Sequence, residues 1–343
     1  MNRKELVLSA LAHEETRPIP YHLECTGQEL ENIIKYAGAD KARSLDSCMS
    51  YIQYWGWPTE IEPGSGYFKD EFGVVWNRNG IDKDIGNVDS IVVKDLDKGG
   101  GDEYEFPVCD VARLRKDIEG LLAIREDRFT MMGFGFCLFE RAWTLLGMEN
   151  VFYYMAACPN ELERFLDRIC EYYLKLIDVA LEYPFDGIYF GDDWGQMKGL
   201  MMGSAHWRRF IKPRLALFYE RVKKKGLPVL QHSCGDCHEI FSDLIEIGLD
   251  CYQTFQPEIY DIAEMKRLYG KKLTFWGGIS VQKALPVMTP AELRQEIIRI
   301  ADILAVGGGF IIAPTHALTG DIPPENVLAM AELFQNQEAL FRK

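Results

Sequence analysis

The chain has 343 residues, 48% apolar and 26% charged, the balance of a soluble globular protein and not of a disordered or membrane-embedded one. Its 38 Lys and Arg stand against 52 Asp and Glu, so the formal net charge is −14, which excludes nucleic-acid phosphate as an expected partner. No stretch approaches the ~20 uninterrupted apolar residues of a membrane span, and Met1-Asn2-Arg3-Lys4-Glu5 opens no signal-peptide core, so the expectation is a cytoplasmic chain with no membrane partner.

In chain order, Arg3–His13 reads as a short helix, followed by Arg17-Pro18-Ile19-Pro20 and an extended Tyr21–Cys25. Residues 60–108 are irregular, with Gly64-Ser65-Gly66, the apolar run Phe72–Trp76 and Gly99-Gly100-Gly101. They are too few and too polar to bury a core, so they read as an excursion carrying a hairpin or two. From residue 110 onward the pattern alternates. Helical stretches are predicted at about 111–122, 139–156, 160–182, 204–225, 237–247, 259–268, 289–306 and 323–341. Between them lie the apolar runs Thr130–Phe134, Gly187–Gly191, Pro228–His232, Cys251–Phe255, Leu273–Gly277 and Phe310–Ala313, which suit buried parallel strands. Thr289-Pro290-Ala291-Glu292 carries an N-cap, a first-turn proline and a capping-box glutamate.

Repeated strand–helix units predict an α/β fold, a TIM-like (β/α)8 barrel in one domain spanning 1–343, with chemistry at the strand C-termini. A doubly wound sheet is the alternative, but no Gly-x-Gly-x-x-Gly follows the first strand. Nine cysteines, an odd and scattered number, argue against a disulfide framework.

The densest chemical signal is Gln231-His232-Ser233-Cys234-Gly235-Asp236-Cys237-His238 at the end of a predicted strand. In extended chain, positions i and i+2 face the same side, so His232 and Cys234 can face one point. An imidazole and a thiolate suit zinc, and an open fourth position marks a catalytic metal. The third ligand expected is His316, just past the run Phe310–Ala313. A structural reading of the pair, a buried Cys beside a backbone-bonded His, stands alongside. A redox Cys234-x-x-Cys237 pair lacks the thioredoxin-like context it needs.

Asp192 and Asp193 end the strand Gly187–Gly191 and are candidates for proton handling or substrate anchoring, because paired carboxylates raise one pKa. A capping role is the bland alternative. Trp194, Gln196 and Met197 follow them toward the expected mouth, and Glu24, Gln256, Glu258 and Gln282 lie near other strand ends. Trp276 precedes Gly277-Gly278, a pair that lets backbone approach a ligand.

Several stations, in order and spacing, resemble the uroporphyrinogen decarboxylase superfamily: Arg17–Pro20, Asp70–Trp76, Phe139–Trp143, Asp186–Gly195, Trp207–Pro213, His232–Gly235, Phe275–Ile279 and Ala313–Asn326. The resemblance implies a TIM-like barrel and divides into two branches. True decarboxylases carry an Arg-Gln-Ala-Gly-Arg motif that holds substrate carboxylates, where this chain reads Tyr21-His22-Leu23-Glu24-Cys25-Thr26-Gly27 with no arginine. The other branch comprises zinc-dependent methyltransferases working with corrinoid proteins, which bind zinc through His-x-Cys and a later Cys. His232 and Cys234 match the first two positions, and His316 stands at the third.

The resemblance therefore implies a zinc-dependent methyltransferase acting on a small-molecule substrate, with Asp192 or Asp193 handling a proton. Glu24, Trp194, Gln196, Gln256 and Trp276 are the expected substrate contacts, and a homodimer is an open assembly. Asp236-x-His238 begins a corrinoid-binding pattern, but Phe241 replaces its Gly, so the corrinoid is expected on a partner protein. Two rivals remain: a metal-free lyase in which His316 touches substrate, and a non-catalytic subunit presenting the barrel mouth to a corrinoid protein.

Overall fold

A computed structural model describes residues 1–80 and 86–341, so 81–85 of the predicted excursion lie outside the described residues. The fold is α/β, and its parallel strands are β1 (Met49–Tyr54), β2 (Phe129–Phe134), β3 (Gly187–Gly191), β4 (Val229–His232), β5 (Cys251–Phe255), β6 (Thr274–Ile279) and β7 (Phe310–Pro314). The chain divides into two compact units. One comprises Tyr51–Ile124 and Met131–Leu249; the other comprises Met1–Ser50, Arg125–Thr130 and the chain from Asp250 onward.

In the first of these units, all but the opening two residues of β1 and β2 join β3 and β4 in the order β1–β2–β3–β4. Parallel register sets Gly133 against Tyr189, Phe134 against Phe190, and His232 against Gly191. Alternation gives each strand two faces. On one, Phe190 stacks on Phe218, Phe134 meets Tyr173, and the Gln231 carboxamide accepts the Tyr219 hydroxyl at 2.7 Å. On the other, Tyr51 meets Tyr189, and Tyr189 meets the His232 ring at 6.4 Å.

The helix Pro159–Ala180 covers the first face. Leu162, Phe165, Leu166, Ile169, Tyr173, Leu176 and Ile177 recur every three or four residues and are buried, forming the apolar stripe an α-helix needs to dock on a sheet. Each such side chain contributes ~1.5–3 kcal/mol by leaving water, so an Ile169→Asp change should undo the docking.

The excursion is an antiparallel sheet of Thr59–Glu60, Tyr67–Lys69, Val75–Asn77 and Asn87–Val88. Asp70 organises its central turn: the carboxylate accepts the Phe72 and Val74 amides, the Trp76 indole at 3.2 Å and the Arg141 guanidinium at 2.9 Å. Arg141 also donates to the Trp55 carbonyl and lies 3.9 Å above the Phe72 ring. Both members of this ion pair are wholly buried, so the excursion is tied to the helix Phe139–Leu146.

In the other unit, β5, β6 and β7 pair in parallel, with Trp276 against Ile311 and Ile279 against Pro314. Tyr21 bridges Ile312 in parallel, and its carbonyl accepts the Cys48 amide just ahead of β1. The expected extended segment at 21–25 thus extends this unit's sheet beyond β7.

Three predicted elements differ in form. The stretch 139–156 is two helices broken at Gly147, whose φ of 85° a residue with Cβ adopts poorly. The stretch 204–225 passes through a wide turn at Trp207–Ile211 before the helix Lys212–Lys223, because Pro213 has no N–H to give the preceding turn. The last helix ends at Gln335, with a 3-10 turn at Gln337–Phe341. No described helix is long and apolar enough to cross a membrane.

Candidate functional site

Strands β3 and β4 end side by side, and their exits carry Asp192, Asp193, His232 and Cys234 in one unit. His232 Nε2 lies 3.6 Å from Cys234 Sγ and 3.3 Å from Asp193 Oδ1. The same Asp193 oxygen accepts the Cys234 backbone N–H at 2.7 Å. Gly235 makes this close arrangement possible. Its φ is 79°, and a Cβ there would stand 2.2 Å from the Gly195 carbonyl carbon. The chain leaving Cys234 therefore lies against Gly195 and Gln196, where the Asp236 amide donates to the Gln196 carbonyl at 2.8 Å.

Burial alone lowers the His232 pKa, but Tyr189, Cys234 and Asp193 outweigh it and hold the imidazole well above its usual value. Burial pushes the Cys234 thiol up, against the opposing pull of His232. Both groups thus retain protons that a cation would displace.

Asp192 is differently placed. Oδ2 accepts the Phe139 amide at 3.0 Å and the Trp194 indole at 2.7 Å, and Oδ1 accepts the Glu140 amide at 2.7 Å. It caps the helix Phe139–Leu146, where backbone donors lack intrahelical partners. Burial pushes Asp192 up to about 6 against these hydrogen bonds. Glu140 returns the contact by accepting the Asp193 backbone N–H; burial and the charges of Asp193 and Asp192 raise it well above the usual carboxylate range.

Of the other expected residues in this unit, Trp194 is fully buried, edge-on to Trp207 at 5.4 Å, and Gln196 is exposed. Cys237 is buried with its sulfur 3.3 Å from Ser233 Oγ, and His238 is exposed, with Nδ1 2.6 Å from Asp236. In the other unit, His316 is exposed one residue past the Thr315 that follows β7. Thr315 fixes that exit, its amide donating to the Ile279 carbonyl at 2.8 Å and its hydroxyl accepting the Val281 amide at 3.2 Å. Trp276 is buried with its ring edge-on to His22 at 5.0 Å, Gln256 is buried and accepts the Thr254 hydroxyl, Glu258 accepts the Ser280 hydroxyl, and Glu24 and Gln282 are exposed.

The sequence reading passed over Glu140, which looks like an acidic residue at a helix start, and the whole of β1, whose Ser50 and Gln53 break up the apolar pattern. It also gave no sign that Phe136 has φ 50°, a left-handed conformation costing a non-glycine residue ~1–2 kcal/mol. The Tyr173 hydroxyl holds that turn by donating to the Phe136 carbonyl at 2.7 Å.

The donor chemistry fits zinc. A tetrahedral ion with bonds of ~2.05 Å to nitrogen and ~2.3 Å to sulfur places those two atoms ~3.6 Å apart, and His232 Nε2 and Cys234 Sγ are separated by 3.6 Å.

No curated protein matches the sequence significantly. Among solved structures, the chain is similar to a methyltransferase from Methanosarcina mazei, with a TM-score of 0.74, 19% identity and coverage of 98% of this chain and 99% of that one. It is also similar to a Listeria monocytogenes protein provisionally assigned as a vitamin-B12-independent methionine synthase, with a TM-score of 0.47, 11% identity and coverage of 90% and 86%, too distant to bear on the argument. At these identities the first likeness establishes a shared fold. Residues 102–337 match the uroporphyrinogen decarboxylase (URO-D) family, more than half of the sequence, and the chain belongs to that family.

Proposed function

We propose that this chain is a zinc-dependent methyltransferase, moving a methyl group between a small molecule and a corrinoid held by a separate protein. The observation that carries the proposal is the 3.6 Å separation of His232 Nε2 and Cys234 Sγ, the edge of a tetrahedral zinc site. The similar fold of a protein named a methyltransferase supports it, as does the lack of arginine in Tyr21–Gly27.

His232, Cys234 and His316 would hold the ion. Zinc, when bound, supplies Lewis acidity that favours an acceptor thiolate or polarises a donor oxygen. The chain's own residues have separable tasks. Asp193 fixes the Cys234 backbone and faces the His232 ring, orienting both donors. Glu140 keeps a proton beside them. Asp192, filled by three donors, serves as a positioning residue. Gln196 and Glu24, both exposed, are the proposed substrate contacts. The seven parallel strands and the Tyr21 segment are proposed to form one (β/α)8-type barrel domain, which a single calorimetric unfolding transition would support and two resolved transitions would refute.

The test is methylcobalamin formation from cob(I)alamin and a methyl-donor panel. Activity should vanish on chelation, return with zinc, and be lost in Cys234→Ala. Activity indifferent to chelation contradicts the proposal. A metal-free lyase is the second reading, favoured by the family's decarboxylase membership, and turnover of uroporphyrinogen by the purified chain would establish it.

A further inference from the structure

Residues 88–94 leave the excursion sheet and run past the corner between the helices Phe139–Leu146 and Met148–Ala157. Backbone bonds fix their course. The Asp89 amide donates to the Val75 carbonyl at 2.9 Å, and the Val92 and Val93 amides share the Leu145 carbonyl at 3.0 and 2.9 Å. Gly147 lets Ile91 approach the corner, since a Cβ on it would stand 2.9 Å from Ile91 Cδ1. Segment and corner enclose an open groove of 590 Å³, within the ~300–1,000 Å³ usual for small-molecule sites. The groove lies wholly within the unit that carries β3 and β4, and it shares no residue with the strand exits.

Its apolar lining is Trp143, half-buried with its ring 6.4 Å from Phe136, together with Ile91 and Met148, both exposed. Large apolar side chains left open to water around a concavity mark a binding surface. The charged residues of the lining are Asp89 and Lys94, and neither side chain makes an ion pair or hydrogen bond among the described residues. Lys98, four residues on, does pair, with Asp95 at 3.6 Å. The Ser90 hydroxyl and the Trp143 indole N–H are likewise without partners among the described residues. We infer that this groove is a second ligand site, and that it takes a free α-amino acid with an apolar side chain.

Opposite charges that line one groove without pairing select a ligand that carries both. A lone carboxylate gains Lys94 but meets Asp89, and a lone ammonium gains Asp89 but meets Lys94. A zwitterion answers each, and its net charge of zero matches the zero sum of the lining. The neighbouring acids leave this balance intact, because Asp95 is paired with Lys98 and Glu149 lies outside the lining. The Ser90 hydroxyl and the Trp143 indole supply neutral donors for carboxylate oxygens. The ligand's side chain then covers the Trp143 ring, Ile91 and Met148, which glycine could not do. The interior of a peptide carries neither terminal charge, so a chain segment is a poorer occupant.

The inference stands apart from the methyl-transfer reading. Its test titrates the full chain by ligand-observed NMR with phenylalanine, 3-phenylpropionate, 2-phenylethylamine, glycine and N-acetylphenylalanine amide. Phenylalanine should bind about three- to fivefold more tightly than either singly charged probe, the upper scale of one exposed charge pair, and more tightly than glycine or the blocked amide. Lys94→Ala should erase its advantage over 2-phenylethylamine, and Asp89→Asn its advantage over 3-phenylpropionate. Neither side chain bonds to the rest of the described protein, so both variants should keep the parent's melting temperature. Cys234→Ala should leave phenylalanine affinity unaltered. Phenylalanine that binds no better than a singly charged probe, glycine or the blocked amide overturns the inference. So do preferences unaltered in both charge variants, and binding lost in Cys234→Ala, which would put the ligand at the strand exits instead.

Discussion

Asp193 Oδ1 accepts the backbone N–H of Cys234 at 2.7 Å, so an aspartate leaving β3 sets the position of a sulfur two residues past the end of β4. The same oxygen lies 3.3 Å from His232 Nε2, so one carboxylate disciplines both proposed ligands. Asp193→Ala should leave a folded chain whose zinc affinity falls ~10–100-fold, the usual effect of removing a residue that orients metal ligands. A chelator-competition titration measures this, and affinity equal to the parent's would show that Asp193 does not orient the donors.

Asp192, the neighbouring carboxylate, should behave oppositely. Asp192→Ala strands the Phe139 and Glu140 amides and the Trp194 indole in a buried setting. Unpaired buried donors cost ~1–3 kcal/mol each, though not additively, so stability should drop by at least ~2 kcal/mol. Urea unfolding of zinc-free protein reads this. Unchanged stability with abolished turnover would return Asp192 to the proton-handling role suggested by its position beside Asp193.

The contrast marks what the sequence could and could not disclose. Gly187–Gly191 was legible to the residue because an unbroken run of glycine and apolar residues at the centre of a parallel sheet admits little else. The pairing of His232 with Cys234 followed from extended geometry alone. Which aspartate caps and which orients did not, because the two amides that Asp192 caps lie more than fifty positions earlier. Trp194, read from the sequence as a lining residue, packs edge-on to Trp207, and its indole N–H donates to Asp192.

Removing one partner from the buried Asp70–Arg141 pair leaves an uncompensated charge. Asp70→Ala should destabilise the protein by ~3–5 kcal/mol, and should also raise amide exchange in Tyr67–Lys69 and Val75–Asn77, whose turn Asp70 organises. Loss below ~1 kcal/mol in chemical denaturation would mean that the excursion is held by its apolar contacts instead.

Glu29 supplies a pH-dependent prediction. Burial raises it to about 7, and Oε1 has no hydrogen-bond partner among the described residues. A carboxyl whose folded pKa exceeds its unfolded value of 4.5 binds more protons in the folded state. Its contribution is therefore full below that value and declines as pH rises toward about 7. Glu29→Gln should thus raise the melting temperature relative to the parent at pH 8 more than at pH 4.5. Equal shifts at both pH values would place Glu29 in water, and a larger gain at pH 4.5 than at pH 8 would give it a cationic partner.

The most direct measurement is the metal content and X-ray absorption spectrum of chain purified without chelator, alongside Cys234→Ser. The account predicts about one zinc per chain with one sulfur at ~2.3 Å and two imidazole nitrogens at ~2.05 Å, and a spectrum without sulfur in Cys234→Ser. Protein that binds no zinc when offered it, or binds it with no sulfur in the first coordination sphere, contradicts the account.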